Sequence, residues 1–421
     1  MIEITNRDNC CGCEACVQTC PRHCVRMEED NEGFNYPKTD KSLCINCGLC
    51  ESVCPMASHH EERAPLACFA AKNLNDEERF LSSSGGVFIR LAKQVLSKGG
   101  VVFGALFNEK WEVIHSYTEN PNELIRFMGS KYVQSRIGTS YLKVELFLKA
   151  GREVLFSGTP CQIAGLKSFL KREYDNLITI DVVCHGVPSP GIFRWYLYEE
   201  ILKTINGRCK KRNNITNIYN IPDKNILSYI KNVEIKSIRF RDKNKGWKRY
   251  GISINFSIID GNGKSNLIKR SIVFNKDLYM KGYLKNVYLR PSCYNCKFRC
   301  FKSESDVTLG DFWGIGHYFP QFDDDKGTSI MFIHTSKIKL LLNNGYKVIP
   351  VSYSMTTPSN MSIIKSPSVP KERSLFFNNS DQTFSERIDK LCAPSLMELI
   401  ASYIQSGHTF IRNKVRLFKC G

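Results

Sequence analysis

Two stretches decide how this chain is read: Cys10-Cys-Gly-Cys-Glu-Ala-Cys-Val-Gln-Thr-Cys20-Pro21 and Cys44-Ile-Asn-Cys-Gly-Leu-Cys-Glu-Ser-Val-Cys54-Pro55. Both place cysteine at Cys-x2-Cys-x2-Cys-x3-Cys-Pro. Three closely spaced thiolates can hold one face of an iron–sulfur cubane, and the chain must travel before a fourth reaches the last iron. In runs of this kind the fourth Cys of each motif ligates the other cluster. The crossing rule predicts one [4Fe–4S] cluster on Cys10, Cys13, Cys16 and Cys54, and a second on Cys20, Cys44, Cys47 and Cys50. The proline fixes φ where the chain leaves the cluster. Zinc is the competing reading, but a zinc ribbon uses isolated Cys-x2-Cys pairs. Cys11 and Cys24 fall outside the register and read as non-ligands packed nearby.

The rest of the composition agrees with a metal-rich domain fused to a larger body. Ten of the 19 cysteines lie in residues 10–54. The chain has 421 residues, 42% hydrophobic and 24% charged, which suits two or three domains and excludes global disorder. No run of about 18 apolar residues occurs, so no transmembrane helix is expected. The start, Met1-Ile-Glu-Ile-Thr-Asn-Arg-Asp8, lacks the apolar core of a secretory signal. A cytoplasmic location is expected, where reduced thiols serve metal ligation rather than disulfides.

Charge is uneven. Residues 1–60 carry a net −4, whereas residues 201–300 carry +18, the net charge of the whole chain. The Lys-, Asn- and Ile-rich text there reads as a solvated face, with an anionic coenzyme tail or acidic partner as the alternative. Aromatic interleaving is thin (Tyr219, Tyr229, Phe240, Trp247), so nucleic acid is not expected.

Residues 1–60 are expected to form an α+β ferredoxin-like 2[4Fe–4S] domain, with His59-His-Glu-Glu-Arg63 as a polar exit. Beyond it, residues 66–200 read as α/β. Ser82-Ser-Ser-Gly-Gly86 precedes an apolar helical pattern (Val87, Phe88, Leu91, Ala92, Val95, Leu96), and Ser84 is placed to cap that helix. Strands are expected at 101–107, 111–117, 153–156 and 178–183, with helices after Gly158-Thr-Pro-Cys161 and over 139–150. This alternation implies a mostly parallel sheet. Cys161 and Cys184 fall at C-terminal strand ends, where such sheets place ligands. Residues 233–241, 249–260 and 266–275 alternate like antiparallel strands around Gly261-Asn-Gly263. Residues 336–344 and 384–405 read as helices, and residues 381–421 as a helical extension. By spacing alone Cys293-x2-Cys296 is half a metal site that Cys161 and Cys184 could complete, with zinc still a competitor.

Several segments together carry a resemblance: Gly129-Ser-Lys-Tyr-Val-Gln-Ser135, Gly158-Thr-Pro-Cys-Gln-Ile-Ala-Gly-Leu166, Asp181-Val-Val-Cys-His-Gly-Val-Pro-Ser189, Arg290-Pro-Ser-Cys-Tyr-Asn-Cys296 and Asp306–Gly314. In order and spacing, from about residue 66 to 380, they resemble the family of coenzyme F420 hydrogenase and dehydrogenase beta subunits. The resemblance implies a mixed α/β flavin-binding domain with an antiparallel portion, divided here as 66–200 and 201–380. It implies FAD and a third [4Fe–4S] cluster, which falls by position on Cys161, Cys184, Cys293 and Cys296, with Cys300 as a competing ligand. It also implies flavin contacts at Ser84, Gly85, Gly86, Ser130, Lys131 and Tyr132. Lys131 would stabilise an anionic reduced flavin, unless it is a surface lysine. His185 would donate to a flavin carbonyl or a cluster sulfur, unless it is a core histidine. Asp306, Asp311 and Trp313 are expected to be structural supports.

Two functions follow. The first is an iron–sulfur flavoprotein oxidoreductase that passes electrons between a two-electron partner (reduced coenzyme F420 or another organic substrate) and [4Fe–4S] clusters or ferredoxin. The second is an electron-transfer adaptor feeding a partner redox enzyme, as in surface polysaccharide biosynthesis, with no substrate of its own.

Overall fold

In the computed structural model, which describes residues 1–206, 220–230, 233–259, 263–341, 345–379 and 381–393, each cysteine run turns into a single helical turn, α1 (Ala15–Gln18) or α2 (Leu49–Ser52). Each turn begins at a residue in the left-handed conformation, Glu14 at φ 60° and Gly48 at φ 73°. An antiparallel hairpin lies between the runs, β1 (Val25–Glu29) with β2 (Asn35–Thr39).

The body opens with β3 (Ala67–Asn73), α3 (Asp76–Leu81), α4 (Val87–Ser97), β4 (Val101–Phe107) and β5 (Val113–Thr118). It continues with α5 (Ser140–Lys149), β6 (Val154–Ser157), α6 (Pro160–Leu170), β7 (Leu177–Val182) and α7 (Pro190–Asn206). Strands β8 (Val233–Asp242), β9 (Gly251–Ile259) and β10 (Ser265–Val273) make a separate antiparallel sheet, as the alternation predicts. The chain then returns through β11 (Val307–Asp311), β12 (Ser329–Ile333) and β13 (Tyr346–Pro350). The large sheet has eight strands in the order β13-β3-β12-β11-β7-β6-β4-β5.

That sheet is mixed, which corrects the expectation of a mostly parallel one. Only β11–β7, β7–β6 and β6–β4 pair in parallel. The strands that return after the second sheet enter antiparallel, a long-range choice that local alternation does not encode. The parallel centre still reads as expected for strands covered on both faces: Val154, Leu155 and Phe156 are all fully buried. The expected cap on α4 also differs. Gly86 occupies the N-cap in the left-handed region (φ 79°), and the Ser84 hydroxyl instead donates to the Thr328 carbonyl at 2.8 Å. Of the expected helix at 336–344, Ser336–Leu341 is 3-10 helix and 342–344 lie outside the described residues. Of that at 384–405, Phe384–Leu391 is helical and 394–405 lie outside them. The Gly261-Asn262 part of the expected turn is also outside them. No helix among the described residues is long and apolar enough to cross a membrane.

The two faces of the large sheet are buried differently. On one, α4 lays Val87, Leu91, Ala92 and Val95 against Ala71, Val102 and Leu155. On the other, α5 and α6 pack with residues of the cysteine domain, so that Cys11, Cys13, Ala15, Val53 and Met56 share one core with Ile163 and Leu166. The N-terminus of α5 makes no side-chain cap of its own at Thr139. Its amides are met from the cysteine domain instead. Gln18 Oε1 accepts from the Tyr141 and Leu142 amides at 3.0 and 3.2 Å, and Glu14 accepts from Gly138 at 2.9 Å. These satisfy donors that a helix start leaves orphaned.

Gly165 on α6 makes that seat possible. A β-carbon there would stand 2.8 Å from Cys13 Cβ and 3.0 Å from its sulfur. Gly165→Ala is expected to destabilise the chain by about 1–3 kcal/mol through overpacking. Urea unfolding with an unchanged midpoint would show that the cysteine domain shifts freely on α6.

Candidate functional site

The two cysteine runs fold against each other, with Cys16, Cys20 and Cys50 in one buried cluster beside Cys44 and Cys54. Cys10, Cys13 and Cys16 are buried, and Cys54 is half-buried beside them. Burial pushes the Cys16 thiol up, and Cys10 and Cys54 add to the rise as neighbouring negative charges. Cys54 is raised chiefly by burial, with Cys10 again contributing. On the far side, Cys20 joins Cys44, Cys47 and Cys50 around a small hollow. The Ile2 amide donates to Cys50 Sγ at 3.3 Å. Cys24 lines the same hollow, its sulfur 3.4 Å from that of Cys20, so it is a fifth thiol there.

A third set forms in the body. Cys161, Cys184, Cys293 and Cys296 line one hollow of about 50 Å³. Cys161 sits in the first turn of α6, whose start is fixed by Pro160 and a Thr159–Gln162 capping box. Cys184 follows β7, and the other two lie on and just after the 3-10 turn Pro291–Asn295. Burial, with Cys296 next, pushes Cys293 up to about 12. The Arg299 guanidinium donates to the carbonyls of Cys184 and His185, tying the two loops together. Cys300 is not among the residues around the hollow; it stands at φ 54° near Glu62. Cys11 is among them, and it packs in one cluster with Cys13 and Cys161. It therefore bridges the inner cysteine set and the third one. Among the described residues no three His, Cys, Asp or Glu side chains converge on a single ion; the thiols ring hollows instead.

A deep pocket of about 310 Å³ shares residues 182–184, Gly186 and Val187 with the third hollow as a common wall. Five of the six expected flavin contacts line it: Ser84, Gly86, Ser130, Lys131 and Tyr132. Gly85 stands behind the wall, where its amide donates to Ser329 Oγ at 2.9 Å and its carbonyl accepts from Asn73. Lys131 Nζ donates to the carbonyls of Arg126 and Met128 at 3.0 and 3.1 Å. Burial of the ammonium pushes its pKa down to about 7. His185 lines the pocket next to Cys184. Its ring is held by Asn286 Oδ1 at 2.5 Å and lies edge-on to Tyr283, and burial lowers its pKa.

Sequence reasoning missed a second polar group on this pocket. His115 Nδ1 lies 2.9 Å from Ser135 Oγ, which accepts from Gln162 Nε2 at 2.9 Å. All three residues are buried and line the pocket. Burial pushes His115 down to about 4, so it is neutral at pH 7. A single His in a strand carries no local signal. Ser135 and Gln162 do lie inside the quoted motifs, but spacing assigns them no role. Asp181 was missed likewise: it is 1% exposed, lines the third hollow, accepts from the Ser303 hydroxyl, and is raised to about 6 by burial.

The acidic–aromatic segment supports structure, as expected. Asp306 Oδ2 accepts from the Thr179 amide and hydroxyl at 2.8 and 2.7 Å. Asp311 accepts from Arg241 at 2.7 and 3.1 Å and from Trp247 Nε1 at 3.0 Å, and Trp313 stacks on Trp247 at 4.5 Å. The basic stretch is only partly the solvated face it was read as. Arg241, Lys243 and Arg290 are 4%, 5% and 1% exposed. Lys243 Nζ donates to the carbonyls of Arg79, Ser84 and Lys326, pinning the serine loop from behind.

Two family models match the chain. The C-terminal part of the coenzyme F420 hydrogenase/dehydrogenase beta subunit matches residues 151–352, and a 4Fe-4S dicluster domain matches residues 9–58, spanning both cysteine runs. A component of the F(420)H(2) dehydrogenase of Methanosarcina mazei is 22% identical over 251 residues, covering 55% of this chain and 71% of that protein. A ferredoxin of Alicyclobacillus acidocaldarius is 34% identical over 74 residues, covering 17% of this chain and 77% of that one. Among solved structures, the F420-reducing [NiFe] hydrogenase complex from Methanosarcina barkeri aligns with 78% of this chain and 91% of the matched one, at 15% identity and a TM-score of 0.39.

Proposed function

Because residues 151–352 match the C-terminal part of coenzyme F420 hydrogenase/dehydrogenase beta subunits and residues 9–58 a 4Fe-4S dicluster domain, we propose that the chain is a flavin-dependent oxidoreductase of that kind that splits electron pairs into single electrons. Iron–sulfur electron transfer is what the dicluster domain brings. The flavin, the third cluster and the organic partner are the proposal. One observation carries it: the deep pocket and the third thiol hollow share the wall at Cys184–Val187, and Cys11 joins that hollow to the inner cysteines. Pocket, third set, inner set and outer set thus form one contiguous line.

The residues present fit the groups this reading needs. The pocket, at about 310 Å³, falls at the lower end of the ~300–1,000 Å³ of common small-molecule sites, and it joins serine hydroxyls and the start of α4 to an apolar floor, a donor set suited to a dinucleotide. FAD bound there would accept a hydride as a pair and release electrons singly. Ser84, Ser130 and Tyr132 would hold it. Lys131 would place a positive charge on the pocket wall, where a reduced anionic ring is stabilised. His185, neutral and fixed by Asn286, would offer a ring nitrogen between the pocket and Cys184. Four thiols at the third hollow would hold a cubane, which supplies one-electron steps. The two-electron partner is proposed to be reduced coenzyme F420 or another conjugated organic compound, and the one-electron partner a ferredoxin or redox enzyme.

The test is to purify the chain without air and measure iron, sulfide and flavin. About twelve iron and one FAD per chain follow from three four-iron clusters. About eight iron and no flavin would leave only the dicluster chemistry. A second reading, an adaptor that feeds a partner enzyme, is favoured by the outer cysteine set. Cys47 is exposed there, close in sequence to Ile45 and Leu43 at 60% and 48% exposure. Turnover of reduced F420 by the lone chain would end the adaptor reading.

Lys131 gives a further check. Its pKa is depressed in the fold to about 7, whereas an unfolded lysine stays protonated to about 10.4. Between those values the unfolded chain binds more protons, so stability without flavin rises with pH across that window. Lys131→Met is expected to remove that slope and to weaken flavin binding about tenfold, the worth of one charge-assisted hydrogen bond. Unfolding midpoints from pH 7 to 10 and flavin titration read both effects; unchanged flavin affinity would remove Lys131 from the site.

A further inference from the structure

Arg290 is 1% exposed, yet none of its hydrogen-bond acceptors is a carboxylate. Nε donates to the Cys10 carbonyl at 2.7 Å and Nη1 to Gln134 Oε1 at 2.9 Å. Nη2 donates to the Asn35 carbonyl at 3.0 Å and to Cys10 Sγ at 3.4 Å. The guanidinium lies over the Tyr36 ring at 4.3 Å and near Phe34 at 5.4 Å. Glu14 feels its charge but accepts from the amides of Ile137 and Gly138 instead. A permanent cation buried among neutral acceptors is costly unless an anion accompanies it. The acceptor on hand that can become an anion is the Cys10 sulfur. Cys10 belongs to the inner set with Cys13, Cys16 and Cys54. Arg290 reaches it from 280 residues away in sequence.

We propose that Arg290 is the fixed counter-cation of the inner four-iron cluster, and that it holds that cluster's reduction potential above that of the outer cluster on Cys20, Cys44, Cys47 and Cys50. Reduction adds one electron to a cluster held by four thiolates; no bond is made or broken, and the added negative charge is met by a guanidinium already in place. Hydrogen bonds to cluster sulfurs and local charge are the protein's main means of setting such potentials. The cations in the outer set's wall are not buried like Arg290: Arg22 is exposed to solvent, and the Met1 ammonium is paired with Glu51 at 2.9 Å. An electron passing along the line of cofactors would therefore rest on the inner cluster. The inference needs the dicluster domain alone, so it stands or falls separately from the flavin.

The experiment is a potentiometric titration of the full chain, prepared without air and reduced with dithionite, with each cluster followed by electron paramagnetic resonance. The outer signal is assigned with Cys47→Ser. In Arg290→Met, the reduced-to-oxidised ratio of the inner cluster at fixed applied potential should fall about tenfold, a shift of about 59 mV for one electron. The outer cluster should not move, and Arg290→Lys should recover most of the shift. An unmoved inner potential in Arg290→Met, or equal shifts of both clusters, overturns the proposal. If Arg290→Met fails to retain the inner four iron, recovery by Arg290→Lys but not by Arg290→Gln supports it. Recovery by Arg290→Gln, or by neither, overturns it.

Discussion

Cys293→Ser is expected to reduce the iron content from about twelve to about eight per chain while both N-terminal clusters stay intact. The reason is spatial separation. Cys293 lines the third hollow with Cys161, Cys184 and Cys296, and none of the eight thiols of the two runs stands in that wall. A serine hydroxyl is not an equivalent soft ligand for iron. The consequence for electron flow should be larger than the loss of metal. The third hollow is the segment of the line that touches both the deep pocket and Cys11, so flavin reduced by a two-electron donor should no longer reduce the N-terminal clusters. Stopped-flow absorbance of flavin against cluster bleaching measures this. Retention of about twelve iron in Cys293→Ser would transfer the ligand role to another thiol, and Cys300→Ser would then be the variant that loses four.

Arg241→Met is expected to destabilise the chain by about 3 kcal/mol, because removing one partner of a buried pair strands the other charge. The Arg241 side chain is 2% exposed and that of Asp311 is 18% exposed. Arg241 donates to both Asp311 oxygens and to the Tyr132 hydroxyl, and it is sandwiched between the rings of Tyr250 at 4.1 Å and Trp313 at 5.0 Å. It joins β8 of the small sheet to β11 of the large one, and both Tyr132 and Asp311 line the deep pocket. Weakened flavin binding should accompany the lost stability. Arg241→Met with Asp311→Asn should recover at least half of the loss, since no carboxylate is then left unpaired. Urea midpoints for the two single variants and the double variant test this. A single-variant cost under about 1 kcal/mol would mean that water in the pocket already serves Asp311.

The N-terminal sites were legible because their information is local. Four thiols within eleven residues, repeated, already constrain which irons they can reach, and the dicluster match spans both runs. Strand and helix placements from β4 to β7 were legible for the same reason, since burial on one or both faces writes itself into the apolar pattern, whereas β3 and α3 were not read from the sequence. The third cysteine set was only half legible. Cys293 and Cys296 are close in sequence, but Cys161 and Cys184 join them through the sheet, and it was the resemblance to a known family that named all four.

What the sequence determined by itself was therefore the chemistry of its closely spaced cysteines and the periodic elements of the body. Tertiary structure alone decided the mixed sheet, the seat of the cysteine domain on α5 and α6, the Cys11 bridge and the buried guanidinium of Arg290 against Cys10. It also decided that Ser84 braces a loop rather than capping α4. Each of these depends on groups brought together from distant parts of the chain, by burial and by the need of every buried polar group for a partner. Neither leaves a mark in local spacing.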